Sequence, residues 1–437
     1  MPVVDNLKVQ IGWEDNPGNL FALSRSTLNG LDVLDGLGAS NWSGTYDDVS
    51  TDVSDGPKIV IGRDDALVAF NSSTCTFTLA KPGYPDYYNP NAVAGQSVIA
   101  GLSPGFKPMR PVRVQAVISG TTTTIWAGFI RSADWNSDDK STTVHAEDLF
   151  LWLSRVKPTY SAAEAASAGV VDVATAIGFI LTKAGWTNSA YRDLGDGTKT
   201  GDAVTLADNT TAGSSALELI ANLLITDRGL FWVQGGVATY RARTYKFERT
   251  SLATLQSESL RTGSNLDLDR IINRQSVTKT GNSPQVANNY PSQQSYGIAD
   301  GTSIDSANLS SDTAAANLST YILQEAGSPR PPITLTLDND TTTNLSRQVA
   351  WKVLDRLTAP VAFALFTFGA STFGGSAGFG GTQDYHIERI EQDWAMAGNY
   401  VTTKYTLSRR GYEVFRFDYA AFDQSDTSLT TSAVFSY

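Results

Sequence analysis

Ile59-Val60-Ile61-Gly62-Arg63-Asp64-Asp65-Ala66-Leu67 leads, a few residues on, into Thr74-Cys75-Thr76-Phe77-Thr78-Leu79. The second run puts Thr on one face and Cys, Phe and Leu on the other, the period of a half-buried strand. A loop dense in turn residues follows, Tyr84-Pro85-Asp86-Tyr87-Tyr88-Asn89-Pro90. Lys107-Pro108-Met109-Arg110-Pro111-Val112-Arg113-Val114 then enters a strand, Ile125-Trp126-Ala127-Gly128-Phe129-Ile130 reads as the next, and Val144-His145-Ala146-Glu147-Asp148-Leu149-Phe150 as the last of the unit. A chain that opens this way is built on strands and turns.

The texture changes near Lys157-Pro158. From Asp172 to Gly185, Val173, Ile177, Ile180, Leu181 and Ala184 recur at helical spacing, and Gly185 fits the stop. A second helix opens at Ser215-x-x-Glu218, a capping box in which hydroxyl and carboxylate each satisfy an unpaired backbone donor. Its expected buried stripe is Leu217, Ile220, Ala221 and Leu224, and Asp227-Arg228-Gly229 ends it. Leu230 to Gln234 and Val237 to Arg241, separated by Gly235-Gly236, read as a hairpin on a two-residue glycine turn. This middle portion is α+β.

At 437 residues the chain exceeds the ~250 to 300 at which a single core stops growing, so several domains are expected. With 41% hydrophobic and 18% charged residues it is globular. One cysteine, Cys75, excludes an intramolecular disulfide framework, and its place on an apolar strand face makes it a small buried hydrophobe. The start, Met1-Pro2-Val3-Val4-Asp5, reads as no secretory leader. No segment reaches ~18 uninterrupted apolar residues, so no membrane span is expected. The net charge of −11 argues against a nucleic-acid reader, which draws its affinity from cations meeting phosphates. Two readings of that acidity stay open: it keeps the protein soluble, or it lines a surface that DNA passes without sticking.

Candidate chemistry is sparse. His145 and His386 are the only imidazoles, and both sit in strand patterns with no activated nucleophile beside them. Gly374-Gly375-Ser376-Ala377-Gly378 formally satisfies G-x-S-x-G, but in a glycine-rich loop rather than a strand-to-helix turn, with His386 too close to complete that architecture. Asp193-Leu194-Gly195-Asp196-Gly197 lacks the ligand spacing of a calcium loop and reads as a turn. No metal site and no cofactor site is proposed from these residues.

The order of motifs from Ile59 to Arg155 resembles the first domain of minor tail proteins from long-tailed phages of actinobacteria. There a G-R-(S/D)-x-x-L turn, a T-x-T-(V/F)-x-L strand, a Tyr/Asp/Pro loop, a (K/R)-P-x-(R/M)-P-V-R strand, an aromatic-G-(F/Y)-I strand and a strand ending in (D/E)-D follow one another. The middle helix and glycine hairpin are similar to the same proteins. So are Arg270 to Gly281, the Ala314 to Gly327 helix with Ser328-Pro329-Arg330-Pro331-Pro332 and the Ile333 to Asp338 strand, and the closing hairpin, Tyr385 to Trp394 and Val401 to Ser408. Two regions depart from the pattern: the glycine-phenylalanine stretch Phe366 to Gly381 and the tail Tyr412 to Tyr437.

The resemblance implies a mainly β chain with two β-barrel domains of tail-hub type, at residues 1–155 and 251–437, around an α+β domain at 156–250. The 251–437 domain carries a helical insertion near 305–356 and a C-terminal extension. It implies a non-enzymatic, homotrimeric tail-tip hub in the virion, made in the host cytoplasm. Its partners would be the distal tail ring, the tape-measure protein and the receptor-binding or other minor tail proteins, with DNA only in transit. Phe366, Phe368, Phe373 and Phe379, spaced by small residues, are candidates for a protomer or channel contact; the other reading is a loop covering its own barrel. An alternative class is a carbohydrate-active or carbohydrate-binding β-protein in which Trp13, Trp42, Trp126 and Trp135 stack on sugars. Burial of those rings decides between the two.

Overall fold

A computed structural model describes residues 6–12, 46–63, 69–84, 87–90, 108–195, 203–210, 213–243, 245–248, 250–255, 260–262, 271–327, 333–339, 341–360, 382–396 and 400–409. The N-terminal strands are β1 (Asn6–Ile11), β2 (Asp47–Asp48), β3 (Val53–Gly62), β4 (Thr74–Leu79), β5 (Pro111–Ile118), β6 (Thr121–Asn136) and β7 (Ser141–Glu147). Residues alternate inward and outward in β4 as the sequence predicts, with Cys75, Phe77 and Leu79 buried. The unit does not end on a strand at Phe150, however. Asp148 caps a helix, α1 (Leu149–Leu153), by accepting from the Phe150 N–H, so Leu149 and Phe150 turn into a helical core.

The middle holds α2 (Ala162–Ser167), α3 (Val173–Lys183), β8 (Arg192–Leu194), α4 (Ala216–Asp227), β9 (Leu230–Gln234), β10 (Val237–Arg241) and α5 (Tyr245–Glu248). Both sides of the Ser215/Glu218 capping box are made. The Gly235-Gly236 turn has φ of 60° and 84°, the left-handed pair that a two-residue hairpin demands. β8, β10 and β9 form a small sheet in that order, and Asp193, expected in a turn, lies in β8 instead. One prediction about α4 needs correction. Its buried residues include Ala216, Ile220 and Leu223, whereas Leu217 and Leu224 are half-buried and Ala221 exposed, so the apolar stripe is split between a core and a second, more open surface.

The remainder comprises β11 (Ser251–Thr254), β12 (Leu260–Thr262), β13 (Arg274–Lys279), β14 (Gln285–Asn288), α6 (Tyr290–Tyr296), β15 (Ile304–Ser306), α7 (Asp312–Ala326), β16 (Ile333–Asp338), α8 (Thr342–Ala350), β17 (Arg356–Pro360), β18 (Thr382–Ala395) and β19 (Tyr400–Arg409). Strands β14, β13 and β15 make a satellite sheet against α7. The largest sheet among the described residues runs β12-β16-β19-β18-β3-β4-β7-β6-β5-β1-β2, with β17 on β18 and β11 on β17. Its hinge is the antiparallel pairing of β3 with β18, from Gly62↔Arg389 to Lys58↔Asp393, which hydrogen-bonds the two ends of the chain directly. One apolar core follows this sheet from Ile59 and Phe77 to Trp394 and Tyr405. A second fills the helical middle and a third lies under α7. The chain is mainly β, with most of its helices gathered in the middle and in the satellite and α8 packed on β16 of the large sheet.

Candidate functional site

The most concentrated chemistry lies where β3 meets β18. The register of β18 against β19 shifts between Ile387 and Arg389, a bulge that re-aims the intervening side chain, and Glu388 is only 1% exposed. Gly62 makes room opposite: its φ is 114°, and a Cβ there would lie 2.2 Å from the Glu388 carbonyl oxygen. The Arg63 N–H donates to that oxygen at 2.9 Å. Arg63 Nε donates to Glu388 Oε2 at 2.7 Å and Lys246 Nζ to Oε1 at 2.6 Å. The Ser408 hydroxyl also donates to Oε1.

Two buried cations from two portions of the chain thus meet on one carboxylate from a third. Burial pushes the Glu388 carboxyl up, but Arg63 and Lys246 together outweigh it and hold the group well below the usual carboxylate range. Burial draws the Lys246 ammonium below its ordinary value, with Glu388 opposing. The Arg63 guanidinium lies 4.7 Å from the Phe70 ring centroid, and Phe70 packs on Trp232 with centroids 5.5 Å apart. Nearby, Asp227 at the end of α4 accepts from the Tyr240 hydroxyl at 2.6 Å and lies 4.0 Å from Arg243 Nη1.

Beside this cluster is a cavity of about 250 Å³. Arg63, Lys246 and Arg228 line it with Tyr321 and Glu325, among apolar walls that include Phe150, Leu224 and Phe231. Leu217, Ala221 and Leu224, the part of the α4 stripe that does not enter the core, face it.

A second buried carboxylate lies elsewhere in the sheet. Asp148 accepts from Ser73 N at 2.8 Å, Ser73 Oγ at 2.7 Å, Ser72 Oγ at 3.1 Å and Phe150 N at 2.9 Å. Ser73 Oγ in turn accepts from Trp126 Nε1 at 3.2 Å. No cation appears among these partners; burial pushes the Asp148 carboxyl up to about 6 against the pull of its hydrogen bonds.

The predicted candidates divide as follows. His145, on β7, meets Asp134 at 3.1 Å through Nε2 and Thr76 at 3.3 Å through Nδ1, across neighbouring strands. His386 is buried in β18 with Nδ1 3.4 Å from the Leu354 carbonyl oxygen. Cys75 is buried, which pushes its thiol up and away from reactivity. Asp193 pairs with Arg241 at 2.5 Å, and no metal-holding group of three or more His, Cys, Asp or Glu occurs among the described residues. Trp126 is buried with its N–H on Ser73, so it cannot stack on a sugar, and Trp135 is half-buried. Trp13, Trp42, Ser376, Phe366, Phe368, Phe373, Phe379 and the tail after Arg409 lie outside the described residues. Arg63, Lys246, Glu388 and Asp148 were not singled out in the sequence. Asp148 ahead of Leu149-Phe150-Leu151 carries a helix-cap signal that could have found it.

The arrangement is suited to holding the chain together. No family model matches the chain, and no curated protein matches it significantly. Among solved structures, the 43 kDa tail protein of prophage MuSo2 from Shewanella oneidensis superposes with a TM-score of 0.51 at 11% identity, over 84% of this chain and 95% of that one. The chain shares that tail protein's fold. A tail protein from Neisseria meningitidis MC58 gives a TM-score of 0.49 at 11% identity, over 84% of this chain and 94% of that one. In the shared fold, the Glu388 cluster joins the first strands of this chain to the last. No helix among the described residues is long and apolar enough to cross a membrane.

Proposed function

We propose that the chain is a structural, non-enzymatic component of a bacteriophage tail. The observation that carries this reading is the likeness of fold to the MuSo2 tail protein, over 84% of this chain and 95% of that one. The burial of His386, Cys75 and Trp126 agrees with it, because a buried imidazole, thiol or indole meets no substrate.

In its finer form, following the resemblance to actinobacterial minor tail proteins, the chain is the homotrimeric hub of the tail tip. It links the distal tail ring to receptor-binding proteins and encloses the path of the tape-measure protein and DNA. Residues 1–155 and 251–437 then act as two barrel domains around the 156–250 domain. The direct pairing of β3 with β18 supports a chain whose ends work as one body. The stretch with Phe366, Phe368, Phe373 and Phe379 serves in this reading as a contact between protomers or at the channel.

Mass measurement of the full chain in solution, and of its copy number in purified virions, tests the hub. Three copies at one end of the tail are expected; six copies, or a location in the head, would overturn it. Phe368→Ser with Phe373→Ser should release folded monomers, and an unchanged trimer would remove that contact.

A further inference from the structure

The cavity beside Glu388 lies where the three apolar cores meet. Phe70 and Leu230 belong to the sheet core, Phe150 and Phe231 to the helical core, and Ile322 to the satellite. At about 250 Å³ it is roomier than the ~150 Å³ apolar cavity that accepts a benzene-sized molecule. One wall is the α4 surface of Leu217, Ala221, Leu224 and Ile225, an apolar strip left half-buried or exposed. Among the described residues its charges do not balance: Arg63 and Lys246 are both bound to Glu388 just behind the wall, and Glu325 is the one carboxylate in the lining, so the third cation, Arg228, leaves one positive charge in excess.

Arg228 is held there by its backbone. It takes the left-handed conformation, φ 54°, just after α4, with its N–H on the Leu224 carbonyl oxygen. Its Nε is buried without a hydrogen-bond partner among the described residues. A buried donor left unpaired calls for a partner, and beside an apolar hollow an anionic group is the partner a guanidinium holds most strongly.

We propose that this cavity binds a small carboxylate with a compact apolar body, the ring or branched chain against Phe150, Leu224 and Phe231 and the carboxylate on Arg228. A few placed polar groups on a mostly apolar wall are what such sites present. The assignment stands apart from any role in a tail, since it rests on the cavity alone.

The test uses the full-length protein and 3-phenylpropionate as probe, titrated by calorimetry, with 3-phenylpropan-1-ol as the uncharged control. Saturable 1:1 binding of the acid is expected, with the alcohol at least tenfold weaker on the same protein. Arg228→Gln should weaken the acid by tenfold or more and leave the alcohol unchanged. Ala221→Trp, at an exposed helix position, should abolish both by filling the hollow. Absence of saturable binding would overturn the proposal. So would equal affinity for acid and alcohol, which marks a plain apolar void, or binding that survives both substitutions, which marks adsorption elsewhere.

Discussion

Glu388 and Asp148 are both buried carboxylates at about 1% exposure, yet their surroundings drive them in opposite directions. Asp148 is held by neutral donors, Ser72, Ser73 and the Phe150 N–H, and burial wins, pushing it up to about 6. Glu388 is held by two cations, Arg63 and Lys246, and attraction wins, keeping it far below the ordinary range. Hydrogen bonds from neutral donors therefore do not offset the effect of burial on Asp148, whereas opposite charge does so at Glu388. The two sites also differ in reach. Asp148 caps the helix that begins at the next residue, while Arg63 and Glu388 are 325 positions apart. One is a local device and the other a clasp between the ends of the chain.

The largest expected effect breaks the clasp. Glu388→Gln leaves Arg63 and Lys246 buried without a counter-charge, and urea unfolding at pH 7 should show a loss of about 3–5 kcal/mol. A loss under about 1 kcal/mol would mean water reaches the cluster. The complementary experiment replaces all three groups, Glu388→Leu with Arg63→Met and Lys246→Met. It should recover most of that loss, since buried ion pairs rarely outperform well-packed apolar side chains. No recovery would assign the cluster's contribution to its geometry rather than to the avoidance of lone charges.

The pH dependence should separate the two carboxylates. Asp148 has a folded value near 6, above its unfolded one near 4. Its stabilising contribution is therefore complete below about pH 4 and lost as pH rises through 6, on the order of 3 kcal/mol. Glu388 is depressed, so its contribution is present above its unfolded value near 4.5 and is lost as pH falls below that. Accordingly, Asp148→Asn should cost about 1–2 kcal/mol at pH 4, from weakened acceptance, and less at pH 8. Glu388→Gln should show the reverse trend. Identical pH slopes for the two variants would refute the contrast.

The smallest effect concerns a single partner of Asp148. Ser72→Ala removes the longest of the hydrogen bonds to the Asp148 carboxylate, that from Ser72 Oγ at 3.1 Å, and should cost about 0.5–1.5 kcal/mol by thermal melting. A neutral result would mean that Ser73 and the Phe150 N–H hold Asp148 without it.

Local rules carried much of the fold. The alternation of β4, the capping box of α4 and the Gly-Gly hairpin were legible because each depends on residues within a few positions of one another. The same reasoning missed at two joints. Leu149 and Phe150 continued an apolar strand pattern, and only the Asp148 cap turned them into a helix. In α4, helical periodicity marked Leu217, Ile220, Ala221 and Leu224 as core; Ile220 is buried as expected, but the core took Ala216 and Leu223 with it, and Leu217, Ala221 and Leu224 came to face a cavity. Periodicity defines an apolar face; it does not say what meets it.

The sequence by itself determined the alternation of β4, the capped start of α4 and the Gly-Gly hairpin, that strands stand at both ends with helices in the middle, and that Cys75 points inward, since chain geometry and side-chain period act over short range. Only the tertiary structure decided that Glu388 turns inward at a bulge, that Arg63 and Lys246 converge on it, and that Arg228 is left beside an apolar hollow. Those outcomes depend on the register of β3 against β18 and on where three cores abut, which are set by pairings hundreds of residues apart.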